Sequence, residues 1–235
     1  MRESNKRNLL IYAHYYIPDT ASTGQILREL AEGMLDNFNI TVICVVPNYL
    51  GTVEDKYKTQ IFYRENINEV DILRIRVPEF SKTNTMSRIK NILAYFVGAM
   101  IATFKVGKQD YVFSISQPPI LGGFLGVWGK WMKHAKYIYN IQDFNPEQVL
   151  AVNFSKNKLI TEAMMFFDKF SCHQSNLIIV TRAPGAVIEI GDNVGISGAT
   201  LYARKGIYIG ENTCIGGNCK ILDSDFHPID MEKSH

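Results

Sequence analysis

The sequence predicts an α/β chain in two parts: a parallel sheet covered by helices over residues 1–180, then a short parallel β-helix over 181–235. Three observations carry this expectation. Up to Val180, short apolar runs alternate with amphipathic stretches. From Pro184 the chain repeats every six residues around Ile-Gly pairs. Glycine marks the change of pattern, since 8 of the 17 glycines fall in residues 181–235.

The elements follow in order. Asn8–Ala13 (NLLIYA) is a short apolar run that reads as a buried strand. After the loop HYYIPDTASTG, Thr23 is placed to cap a helix over Gln25–Phe38, where Ile26, Leu27, Leu30, Met34 and Leu35 share one face. Ile40–Val46 is a second strand stopped by Pro47, and Asp71–Val77 a third that ends at Pro78. A helix is expected over Met86–Val106, a strand over Tyr111–Ser116 and a glycine-rich helix over Ile120–Met132. Lys136–Ile141 is a strand, Lys158–Ser171 a helix and Leu177–Val180 the last strand of this part. Strands separated by helices predict a parallel sheet with right-handed crossovers and both faces covered.

In such a sheet the working residues lie beyond the carboxyl ends of the strands, so loops 14–24, 114–119 and 142–147 are the candidate site. Thr23 and Gly24 open a helix whose N-terminus favours an anion such as phosphate, and Gly24 lets backbone approach a ligand closely. A tight turn with no ligand role is the competing reading. Asp143 is a candidate general base for an acceptor hydroxyl. Its alternative role is to cap backbone amides ahead of Pro146.

Three segments, NLLIYAHYYIPDTASTGQILRELAEGM, FSISQPPILGG and YIYNIQDFNPEQVLAV, resemble in order the N-terminal domain of family-4 glycosyltransferases of the GT-B fold, across residues 8–180. The subgroup they resemble serves surface-polysaccharide assembly in bacteria. The resemblance implies a Rossmann-like half-domain that binds the acceptor, a sugar or lipid-linked sugar. It places the loop holding Gly24 beside the donor's phosphates and Asp143 near the acceptor. A second Rossmann-like domain supplies most nucleotide-sugar contacts in that family. Only 55 residues follow Val180, so the sequence leads us to expect a chain without its donor-binding domain.

In the second part, Ile190, Ile196 and Tyr202 are six apart, and after one extra residue so are Ile209, Ile215 and Ile221. These are the positions expected to point into a β-helix. The stretch from Ile188 to Pro228 resembles hexapeptide acyltransferases, mostly acetyl-CoA-dependent O-acetyltransferases of sugars, whose coils form a left-handed β-helix. That resemblance implies His227 as general base on a sugar hydroxyl, Asp223 or Asp225 beside it to orient the ring, and a homotrimer.

Bulk properties exclude some classes. A net charge of +2, split as +4 for residues 1–180 and −2 for 181–235, does not suggest a nucleic-acid partner. Cys44, Cys172, Cys214 and Cys219 form no CxxC pair, so neither a disulfide framework nor a metal site is expected. The N-terminus has no signal-peptide h-region, which leads us to expect a cytoplasmic chain. Asn91–Phe104 is uncharged but shorter than a spanning helix. It reads as a buried helix, with an in-plane peripheral membrane contact as the alternative because Arg88, Lys90, Lys105 and Lys108 flank it.

Three functional readings result. The first is a glycosyltransferase-like protein of bacterial surface-polysaccharide or lipid-linked sugar biosynthesis. The second is an acetyl-CoA-dependent sugar O-acetyltransferase using His227. The third is an inactive truncated gene fusion with at most a binding role. No bound cofactor is expected; a nucleotide-sugar or acetyl-CoA would enter as co-substrate.

Overall fold

The first part of the chain runs β1 (Arg7–Tyr12), α1 (Ser22–Gly33), β2 (Phe38–Val45), β3 (Phe62–Ile67), β4 (Val70–Ile75), α2 (Thr85–Lys105), β5 (Tyr111–Ile115), α3 (Leu121–Lys133), β6 (Lys136–Ile141), α4 (Lys158–Gln174) and β7 (Leu177–Thr181). Six short strands follow: β8 (Val187–Ile190), β9 (Gly195–Ile196), β10 (Ala199–Ala203), β11 (Gly206–Ile209), β12 (Cys214–Ile215) and β13 (Cys219–Leu222). The computed structural model describes residues 6–19, 21–81, 83–118, 121–141, 158–196 and 198–224. Nine strands form one sheet in the order β13-β10-β7-β6-β5-β1-β2-β4-β3. Every pair in it is parallel except β3 with β4. This is a mixed α/β architecture built on a large, mostly parallel sheet, compatible with a Rossmann-like fold.

Alternation along the strands separates two cores. Leu9 and Ile11 of β1 face α1, where they join Leu27 and Ala31. Leu10 and Tyr12 face the other way, with Tyr95, Ala99 and Ala102 of α2 and Leu125 of α3. The chain moves from β1 to β2 beneath α1 and from β5 to β6 beneath α3 on the opposite face, as right-handed crossovers require.

Three local expectations are corrected. Helix α1 ends at Gly33 rather than Phe38 because Met34 O accepts the N–H groups of Asn37 and Phe38 at 3.1 and 3.0 Å, which closes a turn and frees Phe38 to begin β2. Thr23 does not cap it; Ala21 is the N-cap and Ser22 the first helical residue. Strand β3 was not anticipated. It pairs with β4 through a two-residue turn, Asn68-Glu69, with φ of 51° and 65°.

Beyond β7 the strands stack in three parallel sets. β7, β10 and β13 continue the main sheet, while β8 pairs with β11 and β9 with β12. The registers place Ile188 beside Ile207, Ile196 beside Ile215 and Leu201 beside Ile221. Their side chains meet in a third core with Ala199, Ala203 and Ile209. The expected inward set is thereby corrected at two positions. Ile190 is 39% exposed, and Tyr202 packs against the α2–α3 core instead. Leu201 is the inward residue of that strand, since neighbours on a strand face opposite sides and a tyrosine does not fit between Ala199 and Ala203. Corners between strands use residues in the left-handed region: Asn193 and Asn212 at one, Gly198 and Asn218 at another. Asp223 holds a further corner, accepting the N–H groups of Arg204, Lys205 and Gly206 at 2.6, 2.6 and 2.7 Å. Those bonds hold its carboxyl below the usual aspartate range.

Candidate functional site

From β1 the chain steps outward to β2 on one side, whereas β5, on the other side of β1, leads to β6 and β7. The order reverses between β1 and β5, so the crevice at their carboxyl ends is the switch point where open α/β sheets take ligands. Two loops meet there. Thr23 Oγ1 donates to Gln117 Oε1 at 3.0 Å and joins the start of α1 to the segment after β5.

The start of α1 is bare of protein anions: Ala21 contributes no side-chain cap, and the first turn has no acidic residue. A helix N-terminus in this state presents partial positive charge. Ser22 is exposed beside it. Gly24 is buried, and its N–H donates to Ala21 O at 2.9 Å. A Cβ at Gly24 would lie 3.2 Å from Tyr15 O and 3.3 Å from Tyr16 Cα, so the glycine brings α1 down onto the loop leaving β1.

Beneath the crevice lies buried polar material. His14, next but one after β1, stacks between Tyr15 and Tyr95, with ring centroids 4.2 and 4.7 Å away. Burial lowers its pKa to about 4, opposed by a hydrogen bond with Asn91, so the imidazole is neutral at physiological pH. His14 Nε2, Asn48 Oδ1 and Nδ2, Tyr95 Oη and Asn140 Oδ1 are buried with no hydrogen-bond partner among the described residues. His14, Asn48 and Asn140 lie at or just past the carboxyl ends of β1, β2 and β6. Buried polar atoms are nearly always satisfied, so these three positions are ones that water or a ligand would complete, as is Gln109 Oε1 ahead of β5 at the other end of the sheet.

Asp19 ties this edge together. Its carboxylate accepts from the N–H groups of Asn48 at 3.2 Å and Tyr49 at 3.0 Å, while burial raises its pKa against those bonds. Beside it opens a cleft of about 390 Å³ lined by Pro18, Asp19, Asn48, Tyr49, Thr52 and Glu54. Fully buried Arg74 anchors the same loop from below, with Nη2 donating to Ile17 O at 2.6 Å and Nε to Glu65 Oε2 at 2.7 Å.

Of the residues singled out from the sequence, Thr23 and Gly24 stand together at this crevice. Asp143, Asp225 and His227 lie outside the described residues. Asp223 spends both carboxylate oxygens on the 204–206 corner. Sequence reasoning passed over His14, Asn48, Tyr95 and Asn140. The available signal was a polar residue at the end of an apolar run, as in NLLIYAH and KYIYN. Among the described residues no cluster of His, Cys, Asp or Glu is arranged to hold a metal ion. The four cysteines are free thiols, with burial pushing that of Cys44 up to about 12.

No family model matches this chain, and no curated protein matches it. Among solved structures it is similar to the sucrose-phosphate synthase of Thermosynechococcus elongatus, with a TM-score of 0.50 and 9% identity over 75% of this chain. The chain spans 42% of the length of that structure. At this identity the likeness is one of fold alone.

Proposed function

We propose that the chain is a glycosyltransferase-like protein in which the β1–β5 crevice receives the phosphates of a nucleotide-sugar at the start of α1. The observation that carries this reading is the uncapped, acid-free N-terminus of α1 over the switch point, joined by Thr23 and Gln117 and underlain by the unpartnered atoms His14 Nε2 and Asn140 Oδ1. The first-turn backbone amides that are not bonded to Ala21 O would bind and orient the diphosphate, beside a Gln117 side chain held in place by the Thr23 hydroxyl. The neutral His14 ring, held by two tyrosines, would act as a hydrogen-bonding wall. The likeness to sucrose-phosphate synthase supports the fold part of this reading. An acceptor role for Asp143, and a place in bacterial surface-polysaccharide or lipid-linked sugar assembly, rest on the sequence resemblance alone.

The C-terminal strands favour a second reading for their own part: turns of a left-handed parallel β-helix. Its support is the three stacked parallel sets with repeated left-handed corners. Acetyl transfer through His227 gains no support from the comparisons.

Ser22→Asp tests the crevice. A carboxylate in the first turn stabilises α1 by about 0.3–1 kcal/mol through the helix dipole, yet repels a diphosphate from the same point. The variant should therefore melt at or above the wild-type temperature while losing binding of uridine diphosphate, followed by NMR line broadening at millimolar ligand. Undiminished binding by Ser22→Asp would show that the phosphates do not sit at α1. No binding of uridine or guanosine diphosphate by the wild type would sink the nucleotide reading.

A further inference from the structure

Helix α2 is apolar on the side that faces water. Its buried face carries Asn91, Tyr95, Gly98, Ala99, Ala102 and Thr103. The opposite face presents Ile89, Leu93, Val97, Ile101 and Phe104, with Leu93 50%, Val97 53%, Ile101 48% and Phe104 64% exposed. These positions are three or four apart, so they form one line about 22 Å long. Single exposed apolar residues are ordinary, but a full helix line without a polar interruption is not.

The line widens across two more helices. Phe96 of α2 meets Phe124 of α3 at 5.8 Å between centroids, and Phe124 meets Phe167 of α4 at 6.2 Å. Phe104 packs on Trp128 at 5.9 Å, and Trp131 packs on Phe170 at 6.1 Å. Trp131, Met132, Phe166 and Phe167 are exposed on this face as well. Cations bound it. Arg88 and Lys90 lie at one end of α2, and Lys105 and Lys108 at the other, all exposed. Neither α2 nor α3 contains an aspartate or glutamate, whereas α4 contains Glu162 and Asp168.

We infer that the α2–α3–α4 face docks in the plane of an anionic phospholipid surface, with the apolar line in the acyl boundary and the flanking cations on the headgroups. None of the described helices is long and apolar enough to cross a membrane, so the contact is peripheral. Charge favours a lipid surface over a second copy of the chain. Both ends of α2 are basic, so two such helices laid antiparallel would set Arg88 and Lys90 against Lys105 and Lys108. The inference is independent of the nucleotide reading, because it uses the sheet face opposite α1 and no residue of the crevice.

The test is co-sedimentation of the full chain with vesicles of phosphatidylcholine alone or of phosphatidylcholine with phosphatidylglycerol. Binding is expected to the anionic vesicles, falling with added salt. Leu93→Glu/Ile101→Glu should reduce it at least tenfold, since each charge enters the apolar layer. Both sites are half-exposed, so the melting temperature should hold. Lys105→Gln/Lys108→Gln, which leaves the apolar line intact, should reduce binding about fivefold per cation. Equal binding to neutral and anionic vesicles, or none to either, overturns the inference. So does a dimer in sedimentation equilibrium that Leu93→Glu/Ile101→Glu splits while vesicle binding is unchanged.

Discussion

Glu65→Gln should cost more stability than the loss of one partner from an exposed ion pair such as Arg28–Glu32. Arg74 is fully buried, whereas the Glu65 side chain keeps 26% of its surface in water. Glu65 Oε2 accepts from Arg74 Nε at 2.7 Å, and Oε1 accepts from Tyr57 Oη at 2.6 Å. Glutamine preserves the shape and one acceptor for Nε, but it removes the contacting negative charge and leaves the guanidinium touching only neutral acceptors, including the carbonyl oxygens of Ile17 and Val45 and the sulfur of Cys44. Removing one partner of a buried pair costs about 3–5 kcal/mol. Water at Glu65 places this case at the low end, about 3 kcal/mol, which for a domain of this size lowers the melting temperature by about 6–12 °C. Urea unfolding followed by tryptophan fluorescence measures it, with circular dichroism as the second probe for two-state behaviour. A cost under about 1 kcal/mol is that of a surface ion pair and would refute the claim that Arg74 is stranded without Glu65.

Four further outcomes are expected. The folded pKa of His14 is lowered to about 4 from 6.5, so the unfolded chain binds the extra proton first as pH falls. Its contribution is whole above pH 6.5 and is lost progressively down to pH 4, about 3 kcal/mol in all. His14→Phe, which keeps the tyrosine stack, should flatten the urea midpoint across that window, and an unchanged slope would contradict the burial argument. Gly126→Ala gains up to about 1 kcal/mol of helix propensity, but its methyl would overlap the Tyr137 ring, which Ser114 and Gly123 O hold in place; calorimetry should show a net loss of about 1–3 kcal/mol. Gly33→Ala, with open space around it, should stabilise instead. Asp223→Ala should destabilise at pH 7, and its deficit should shrink below about pH 4, because a carboxyl held below its ordinary range gives its stability above the unfolded pKa and loses it as pH falls through the folded one. A deficit that is constant with pH would mean that the 204–206 corner does not depend on the charge.

The sheet was legible because its strands are buried on both faces and therefore read as unbroken apolar runs, as in LLIY and TVICV. Strand β3 was not, because it is the edge strand: FYRENI keeps only one face on the protein, and its turn is Asn-Glu rather than Asn-Gly. The crevice was half legible. Thr23 and Gly24 declared themselves as the start of a helix, but Gln117 is 94 residues from Thr23, and no local pattern foretells that bond. His14 was hidden for a similar reason, since only the crossover of α2 brings Tyr95 onto its ring. Counting in sixes set Tyr202 inward, but the structure turns it to the helical side and puts Leu201 in the third core. The count ranks residues by hydrophobicity, whereas the space between Ala199 and Ala203 selects by volume.

Strand β7 explains how two such different patterns join without a spacer. A parallel strand inside a sheet needs partners on both edges and cover on both faces. On one edge β7 pairs with β6, and on the other with β10, five registered residues from Leu177–Ala199 to Thr181–Ala203. Ile178 and Val180 turn to the core shared with α2 and α3, whereas Leu177 turns to the core of the C-terminal strands. β10 repeats the division, with Tyr202 on the helical side and Leu201 on the other. The boundary near residue 180 is therefore a change in what covers the sheet, from helices to stacked short strands, and the hydrogen-bonded ladder runs straight through it. A polar linker at that point would break the ladder. The direct passage from LIIV into TRAP is what a shared strand requires.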